Sequence, residues 1–223
     1  MSISVHANPA TLLYSLEMFA VGVCAVSGAL AAARKKMDVF GLVVTAIVSS
    51  IGGGTVRDLL LDHRPVFWIA NTTFLWLPAV VAIATAAYAR IWPVPTYSLT
   101  LADALGLALF TISGAKLALN DGSAFLIVVL MGATTGVAGG AIRDVLCGEI
   151  PRIFKGEIYA TVSLLGAATF AGLLRAGVSL ALSGTVAAVL IVTLRVAAIF
   201  WDVKLKPVAL AAAKVTQTLD LQR

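Results

Sequence analysis

The chain has 223 residues, of which 60% are hydrophobic and 12% are charged, and its formal net charge is +5. Soluble domains carry about 25% charged residues, so the composition excludes an ordinary soluble domain and predicts an all-α membrane protein. No basic run alternates with aromatic residues, so we expect no nucleic-acid partner, and the positive charge fits cytoplasmic loops.

Seven apolar segments follow one another along the chain, each close to the roughly 20 residues that cross a bilayer. They cover residues 11–33, 38–61, 67–90, 97–119, 123–147, 157–176 and 180–202. Cys24 and Cys147 have no metal-ligand spacing, so we expect two free thiols. No hydrolase, metalloprotease or phosphate-loop motif is present, so we predict no enzymatic activity, no catalytic residue, no resident metal and no cofactor.

The loops between these segments differ in their lysine and arginine content. We call the face that holds the N-terminus side A and the opposite face side B. On this topology, side A receives two basic loop residues and side B receives ten. Because basic loops remain in the cytoplasm, we predict an outside N-terminus and a cytoplasmic C-terminus.

Residues 15–68 recur without a gap 86 positions later. GGGTVRD at 52–58 becomes AGGAIRD at 138–144, and Ser27-Gly28 becomes Ser113-Gly114. Each copy holds three spans, so the second copy enters the membrane from the opposite side, as in many transport proteins. We predict a first three-helix repeat over 1–92, an inverted second repeat over 93–177, a seventh helix over 178–203 and a cytoplasmic tail over 204–223.

Glycines interrupt the second and fifth spans, at Gly52, Gly53 and Gly54 and at Gly139 and Gly140. Each glycine costs a helix about 1 kcal/mol relative to alanine and permits a kink or a broken turn. Backbone groups that a break exposes need water or protein partners, so we expect hinges that line an aqueous path. Close helix packing through small residues is the alternative.

Charged residues follow the glycines in both copies. Arg57 and Asp58 are neighbours that project about 100° apart on a helix, as are Arg143 and Asp144, so we expect each arginine to pair with an acid on another helix. Snorkelling towards the membrane surface is the alternative. Other candidates for a pathway are two acids near opposite faces and four hydroxyl residues before the glycines: Glu17, Asp103, Ser49, Ser50, Thr134 and Thr135.

Lys116 breaks the symmetry, because its counterpart in the first copy is Leu30. It is either a residue that snorkels from the helix end or a field-sensitive plug that repels cations. The four hydroxyls likewise have two interpretations, since they can coordinate ions or bond to their own helix backbone.

The doubled motif resembles a known family. GGGTVRDLLLDHRP and AGGAIRDVLCGEIP are similar to the twin motifs of the prokaryotic trimeric intracellular cation (TRIC) channels, also called UPF0126 or glycine-transporter-domain proteins. Residues 156–167 and 195–207 resemble the sixth and seventh helices of that family. Ala138 departs from the pattern, because the first copy has Gly52 there.

The resemblance implies a homotrimer in the plasma membrane with one pore in each subunit. It implies conduction of K⁺ and also Na⁺, second and fifth helices that kink at the glycines and line the pore, and Lys116 as a gating residue. Membrane lipids are expected partners, and a bound lipid is an expected ligand. A secondary transporter of glycine or another small solute is the alternative function, which the family's older name supports.

Overall fold

The computed structural model describes residues 9–93, 95, 97–155, 158–201 and 203, with side chains from residue 14 onward. These residues form helices and connecting loops and contain no strand. The helices are α1 (Pro9–Arg34), α2 (Val39–Leu60), α3 (Phe67–Ala70), α4 (Thr73–Ile91), α5 (Ser98–Asn120), α6 (Phe125–Leu146), a 3-10 turn (Arg152–Phe154), α7 (Ala160–Arg175) and α8 (Leu180–Phe200).

The all-α membrane architecture predicted from composition is confirmed. Six of the described helices are long and apolar enough to cross a membrane, and the shorter α7 is also apolar. α7 has 16 residues and begins at Ala160, later than the predicted span 157–176. The predicted tail over 204–223 lies outside the described residues.

The predicted third span is wrong in one respect, because two helices replace it. α3 ends at Ala70, and the next residue, Asn71, has an extended backbone (φ −136°, ψ 100°). The Asn71 side-chain oxygen then accepts a hydrogen bond of 3.0 Å from the backbone N–H of Thr73. An asparagine that satisfies a free N–H at a helix start favours a new helix there.

The two glycine-containing helices end in the same way. α2 is followed by Asp62 at φ +53° and α6 by Gly148 at φ +68°, two positions that correspond in the repeat. The next N–H then bonds back to the motif aspartate carbonyl: His63 to Asp58 at 2.8 Å, and Glu149 to Asp144 at 2.9 Å. This left-handed C-terminal cap satisfies the last carbonyls of each helix.

Each half packs as a three-helix group, α1 with α2 and α4, and α5 with α6 and α7. Contacts of α1 with α5 and of α2 with α6 join the groups, and α8 packs on α5 and α7. Small side chains fill the first group, where Ala25, Ala29 and Ala46 are fully buried. Small residues suit this environment, because helices in lipid associate through close packing. The chain is therefore a multi-pass membrane protein.

Candidate functional site

α2 and α6 cross at the motif glycines. A Cβ added to Gly53 would lie 2.0 Å from the carbonyl oxygen of Thr135, and one added to Gly139 would lie 2.4 Å from that of Ser49. The contact is reciprocal, because Ser49 and Thr135 are also 86 positions apart. No side chain fits at either glycine unless the helices separate.

The broken turn considered from sequence is not found, since α2 and α6 are α-helical throughout, and the hinge role of the glycines stays a prediction. Gly52 also faces the crossing, because a Cβ added to it would lie 3.4 Å from the Gly139 Cα. Gly54 leaves room for the Phe67 ring, and Gly140 leaves room for the Tyr159 hydroxyl. In this conformation the glycines serve close packing, because absent side chains let one backbone approach another.

Two of the four hydroxyl residues in this region, Ser50 and Thr135, bond to backbone carbonyls. Ser50 donates to the carbonyl oxygens of Val21 at 3.0 Å and Ala46 at 2.8 Å. Thr135 donates to the Met131 carbonyl at 2.6 Å. Ser49 is buried beside the crossing, and Thr134 is half-buried. Ser50 and Thr135 thus take the second of the two roles considered from sequence, that of bonding to the helix backbone.

The second copy of the motif is a buried ion cluster near side B. Arg143 donates from Nη1 to Asp103 Oδ1 at 2.6 Å and to Ser27 Oγ at 2.7 Å, and from Nη2 to Asp144 Oδ1 at 2.7 Å. Arg152 adds a bond of 3.0 Å from Nη1 to Asp103 Oδ2. The Arg143 side chain is 1% exposed. Asp103 therefore binds two arginines, the buried Arg143 and the half-buried Arg152.

The first copy has the same internal pair. Arg57 donates from Nε to Asp58 Oδ1 at 2.8 Å, and the other Asp58 oxygen accepts the Phe67 N–H at 2.9 Å. The Arg57 guanidinium also lies 5.6 Å from the centroid of the Phe67 ring. The expectation that neighbouring arginine and aspartate do not pair is wrong, because the long arginine side chain folds back along its helix.

A cavity of about 300 Å³ opens beside Arg57, between α1, α2 and α5. Its charged and polar lining includes Glu17, Arg57, Asp58, His63, Ser113 and Lys116. The Glu17 carboxylate accepts a hydrogen bond of 3.1 Å from Ser113 Oγ. Within the described residues, Glu17 and Lys116 take part in no ion pair. The cavity therefore presents an acid and a base that are both open to a mobile ion or solute.

The predicted site residues fall into three groups. Glu17, Arg57, Asp58 and Lys116 meet in the cavity, Asp103, Arg143 and Asp144 meet in the buried cluster, and the glycines and hydroxyls surround the crossing. Sequence reasoning missed Arg152 and His63 as members of these sites. Both lie in the loops after the motifs, and only the fold turns those loops back towards the membrane interior.

The two cysteines are far apart in sequence and are not joined by a disulfide. Cys24 is half-buried and Cys147 is buried, and both are free thiols. Among the residues that the structure describes, no group of three or more histidine, cysteine, aspartate or glutamate side chains is placed to hold a metal ion.

The chain is similar to known proteins in both sequence and structure. A family model described as "Glycine transporter" matches residues 14–90 and again residues 100–175. The UPF0126 inner membrane protein YadS of Escherichia coli K12 is 41% identical over 202 residues, covering 89% of this chain and 97% of that protein. The chain belongs to the prokaryotic TRIC channel family, also called UPF0126. The resemblance stated from the doubled motif is thereby confirmed.

Other relatives resemble this chain in sequence, in fold or in both. The UPF0126 membrane protein of Vibrio cholerae is 41% identical over 208 residues, covering 90% of this chain and 84% of that protein. The TRIC trimeric intracellular cation channel orthologue from Rhodobacter sphaeroides has a TM-score of 0.82 at 38% identity, covering 86% of this chain and 100% of the other. A structure described as the basis for conductance through TRIC cation channels has a TM-score of 0.80 at 30% identity, covering 88% and 97%.

Proposed function

We propose that this chain is a monovalent cation channel, conducting K⁺ and also Na⁺ through a path inside each subunit of a homotrimer. The Rhodobacter sphaeroides relative is described as a trimeric cation channel, and the Escherichia coli relative as an inner membrane protein. The excess of basic residues on side B supports an inner-membrane orientation with the N-terminus outside.

The observation that carries the proposal is the cavity within a single subunit. It contains the Glu17 carboxylate and the Ser113 hydroxyl on facing helices, α1 and α5. Carboxylate and hydroxyl oxygens are suitable partners for a cation that has lost part of its water shell. Asp58 neutralises Arg57 at 2.7 Å, so this arginine presents less of its charge to a passing cation.

In the proposed mechanism the structure corresponds to a shut path. The cavity lies on side A of the glycine crossing, and the buried Arg143–Asp103 cluster lies on side B. The proposed hinge residues are the motif glycines, because helices without side chains at their contact can slide or bend against each other. Opening would then expose the neighbouring hydroxyls of Ser49, Ser50, Thr134 and Thr135 to the path.

Lys116 is the proposed gating residue. It lines the cavity with Glu17 and has no ion-pair partner among the described residues. A cationic side chain at this position raises the electrostatic barrier for cations, and its position responds to the membrane field. Membrane lipids are proposed partners, and a bound lipid is a proposed ligand.

A planar bilayer tests the channel directly. Purified protein is incorporated under a KCl gradient, and unitary currents are recorded. We expect currents that reverse near the K⁺ equilibrium potential and a smaller but measurable Na⁺ conductance. Currents that reverse near the Cl⁻ potential, or bilayers that stay silent, would contradict the proposal.

A secondary transporter of glycine is the second candidate. The observation that favours it is the mixed charge of the cavity, where Lys116 and Glu17 are placed to hold the carboxylate and ammonium groups of a small zwitterion. The description of the matching family model points the same way. Saturable glycine uptake into liposomes, together with silent bilayers, would favour the transporter over the channel.

A further inference from the structure

Two contacts between ionisable side chains tie the halves of the molecule together, one near each end of the α2–α6 pair. Near side A, His63 Nε2 lies 2.9 Å from Asp121 Oδ2. Near side B, Glu149 pairs with Lys35 and, at 3.0 Å, with Lys155. We call these contacts the side-A clasp and the side-B clasp. Each joins the loop after one motif to a hairpin loop of the other half.

The two clasps are counterparts in the repeat. Glu149 is 86 positions after His63, and Asp121 is 86 positions after Lys35. Each loop residue also donates its N–H to the carbonyl of its own motif aspartate, as described above. A clasp therefore connects the C-terminal end of α2 or α6 directly to the opposite half.

The charges of the two clasps are reversed, and their chemistry differs. In the side-B clasp an acid follows the motif, and Lys35 and Lys155 lower the pKa of Glu149 to about 2. Its charge pairing is fully present above pH 4.5 and is lost only as the pH falls towards 2. In the side-A clasp a histidine follows the motif, and histidine ordinarily changes charge between pH 5 and 8.

We propose that the side-A clasp is a proton-operated latch on the cavity. Protonated His63 attracts Asp121 and holds the α2–α3 loop against the α5–α6 loop, at the cavity that His63 itself lines. Loss of the proton removes the positive charge of the pair and leaves a hydrogen bond from a neutral imidazole N–H to the Asp121 carboxylate, which lacks the attraction between opposite charges. The latch tightens as side A becomes acidic and loosens as it becomes alkaline.

Other charged groups surround His63 and nearly cancel. The acids are Glu17, Asp58, Asp62 and Asp121, and the bases are Arg57, Arg64 and Lys116. Asp62 is held by Arg64 at 3.0 Å and Asp58 by Arg57 at 2.7 Å. Asp121 is the acid in direct contact with His63, at 2.9 Å, so it responds most to the charge of His63.

A distance measurement tests the latch without any assumption about transport. Spin labels are placed on two exposed positions, Leu60→Cys at the end of α2 and Ala124→Cys before α6, with both native cysteines replaced by alanine. We expect a short, narrow distance distribution at pH 5.5 and a longer, broader one at pH 8.5. With His63→Gln added, the distribution should be broad at both values. Equal distributions at both pH values without that substitution would overturn the latch.

The effect on transport rests on the proposed function and is measured separately. The pH is changed in one bilayer chamber at a time. We expect the open probability to fall about two- to fivefold between pH 8.5 and pH 5.5 on one side only, the size expected for an ion pair that is about one-third exposed. Open probability that is independent of pH on both sides would contradict a latch that gates conduction.

A matched variant replaces the residues of the side-A clasp with those of the side-B clasp. The double variant His63→Glu with Asp121→Lys installs the pair that Glu149 and Lys35 form at side B. We expect it to close at both pH values and to lose the pH dependence, whereas Lys35→Gln alone should keep the pH dependence. Silent bilayers with a pH-dependent loop distance would contradict the channel and leave the latch supported. Conducting bilayers with a loop distance that does not change with pH would support the channel and contradict the latch.

Discussion

The two copies of the glycine–arginine–aspartate motif share their internal hydrogen bonds but differ in their surroundings. In both, the arginine bonds to the next aspartate, and that aspartate accepts a backbone N–H from the following loop. Arg57 faces a cavity, whereas Arg143 is sealed against Asp103 and Ser27.

The residues around each motif explain this difference. Arg152 occupies the position that Val66 has in the first copy, and it adds a second positive charge to Asp103. Lys116 is the repeat counterpart of Leu30, and it lines the cavity beside the first copy. A shared motif thus sets the local geometry, and a few unmatched neighbours decide whether the site is closed or open.

Neutralising Asp103 in the buried cluster or Glu17 in the cavity should give the largest difference in stability between the two copies. Asp103→Asn leaves the buried Arg143 and the half-buried Arg152 without their shared acid and should lower the free energy of unfolding by about 3–5 kcal/mol. Glu17→Gln removes an acid that has only a hydroxyl partner and should cost less than about 1 kcal/mol. Thermal unfolding in detergent measures both. Equal losses would contradict the distinction between a closed and an open site.

The glycine crossing should behave alike in both copies. Gly53→Ala and Gly139→Ala each place a methyl against a backbone oxygen and should cost about 1–3 kcal/mol through overpacking. Leucine at either position should also abolish conduction, because its side chain would obstruct the sliding or bending of α2 against α6 that the proposed opening requires. Gly22→Ala is the control, since nothing lies within 4 Å of its added Cβ. Unchanged stability in the two alanine variants, together with unchanged currents in the two leucine variants, would contradict the proposed hinge.

Arg152→Val converts the second copy towards the first. The change removes the 3.0 Å bond to Asp103 and should cost about 1–2 kcal/mol, because one hydrogen bond to a charged group is lost while Arg143 remains. We also expect faster hydrogen exchange in the 3-10 turn Arg152–Phe154. Lys155→Gln, in the same loop, is the control. Unaltered exchange would show that Arg152 does not seal the cluster.

Lys116→Gln should have the smallest effect on stability, below about 0.5 kcal/mol, because the side chain is half-exposed and has no ion-pair partner among the described residues. Single-channel K⁺ conductance should rise about twofold, since a charge that opposes cations is removed. Arg90→Gln, which removes an exposed charge at the end of α4, is the control. A lower conductance in Lys116→Gln would contradict the proposed role.

Sequence patterns predicted the larger features well. Apolar run lengths located six spans and the shorter α7, and the doubled motif identified the family. They failed at contacts that depend on distance through space. The glycines were expected to kink or break α2 and α6, with close packing as the alternative; neither helix has a broken turn, and the glycines pack at the crossing. The Arg57–Asp58 pair was excluded from helical angles alone, which ignore the reach of a flexible side chain.

Three features can be recognised in the sequence without the fold: the hydrophobicity, the 86-residue repeat and the motif. They predicted the membrane class, the helices and the existence of two related sites. Which site is open did not follow. That asymmetry depends on Lys116 and Arg152, which reach their sites only when α5 packs on α1 and the loop after α6 folds back on α5. Electrostatic partners are set by proximity in three dimensions, and proximity is decided by helix packing.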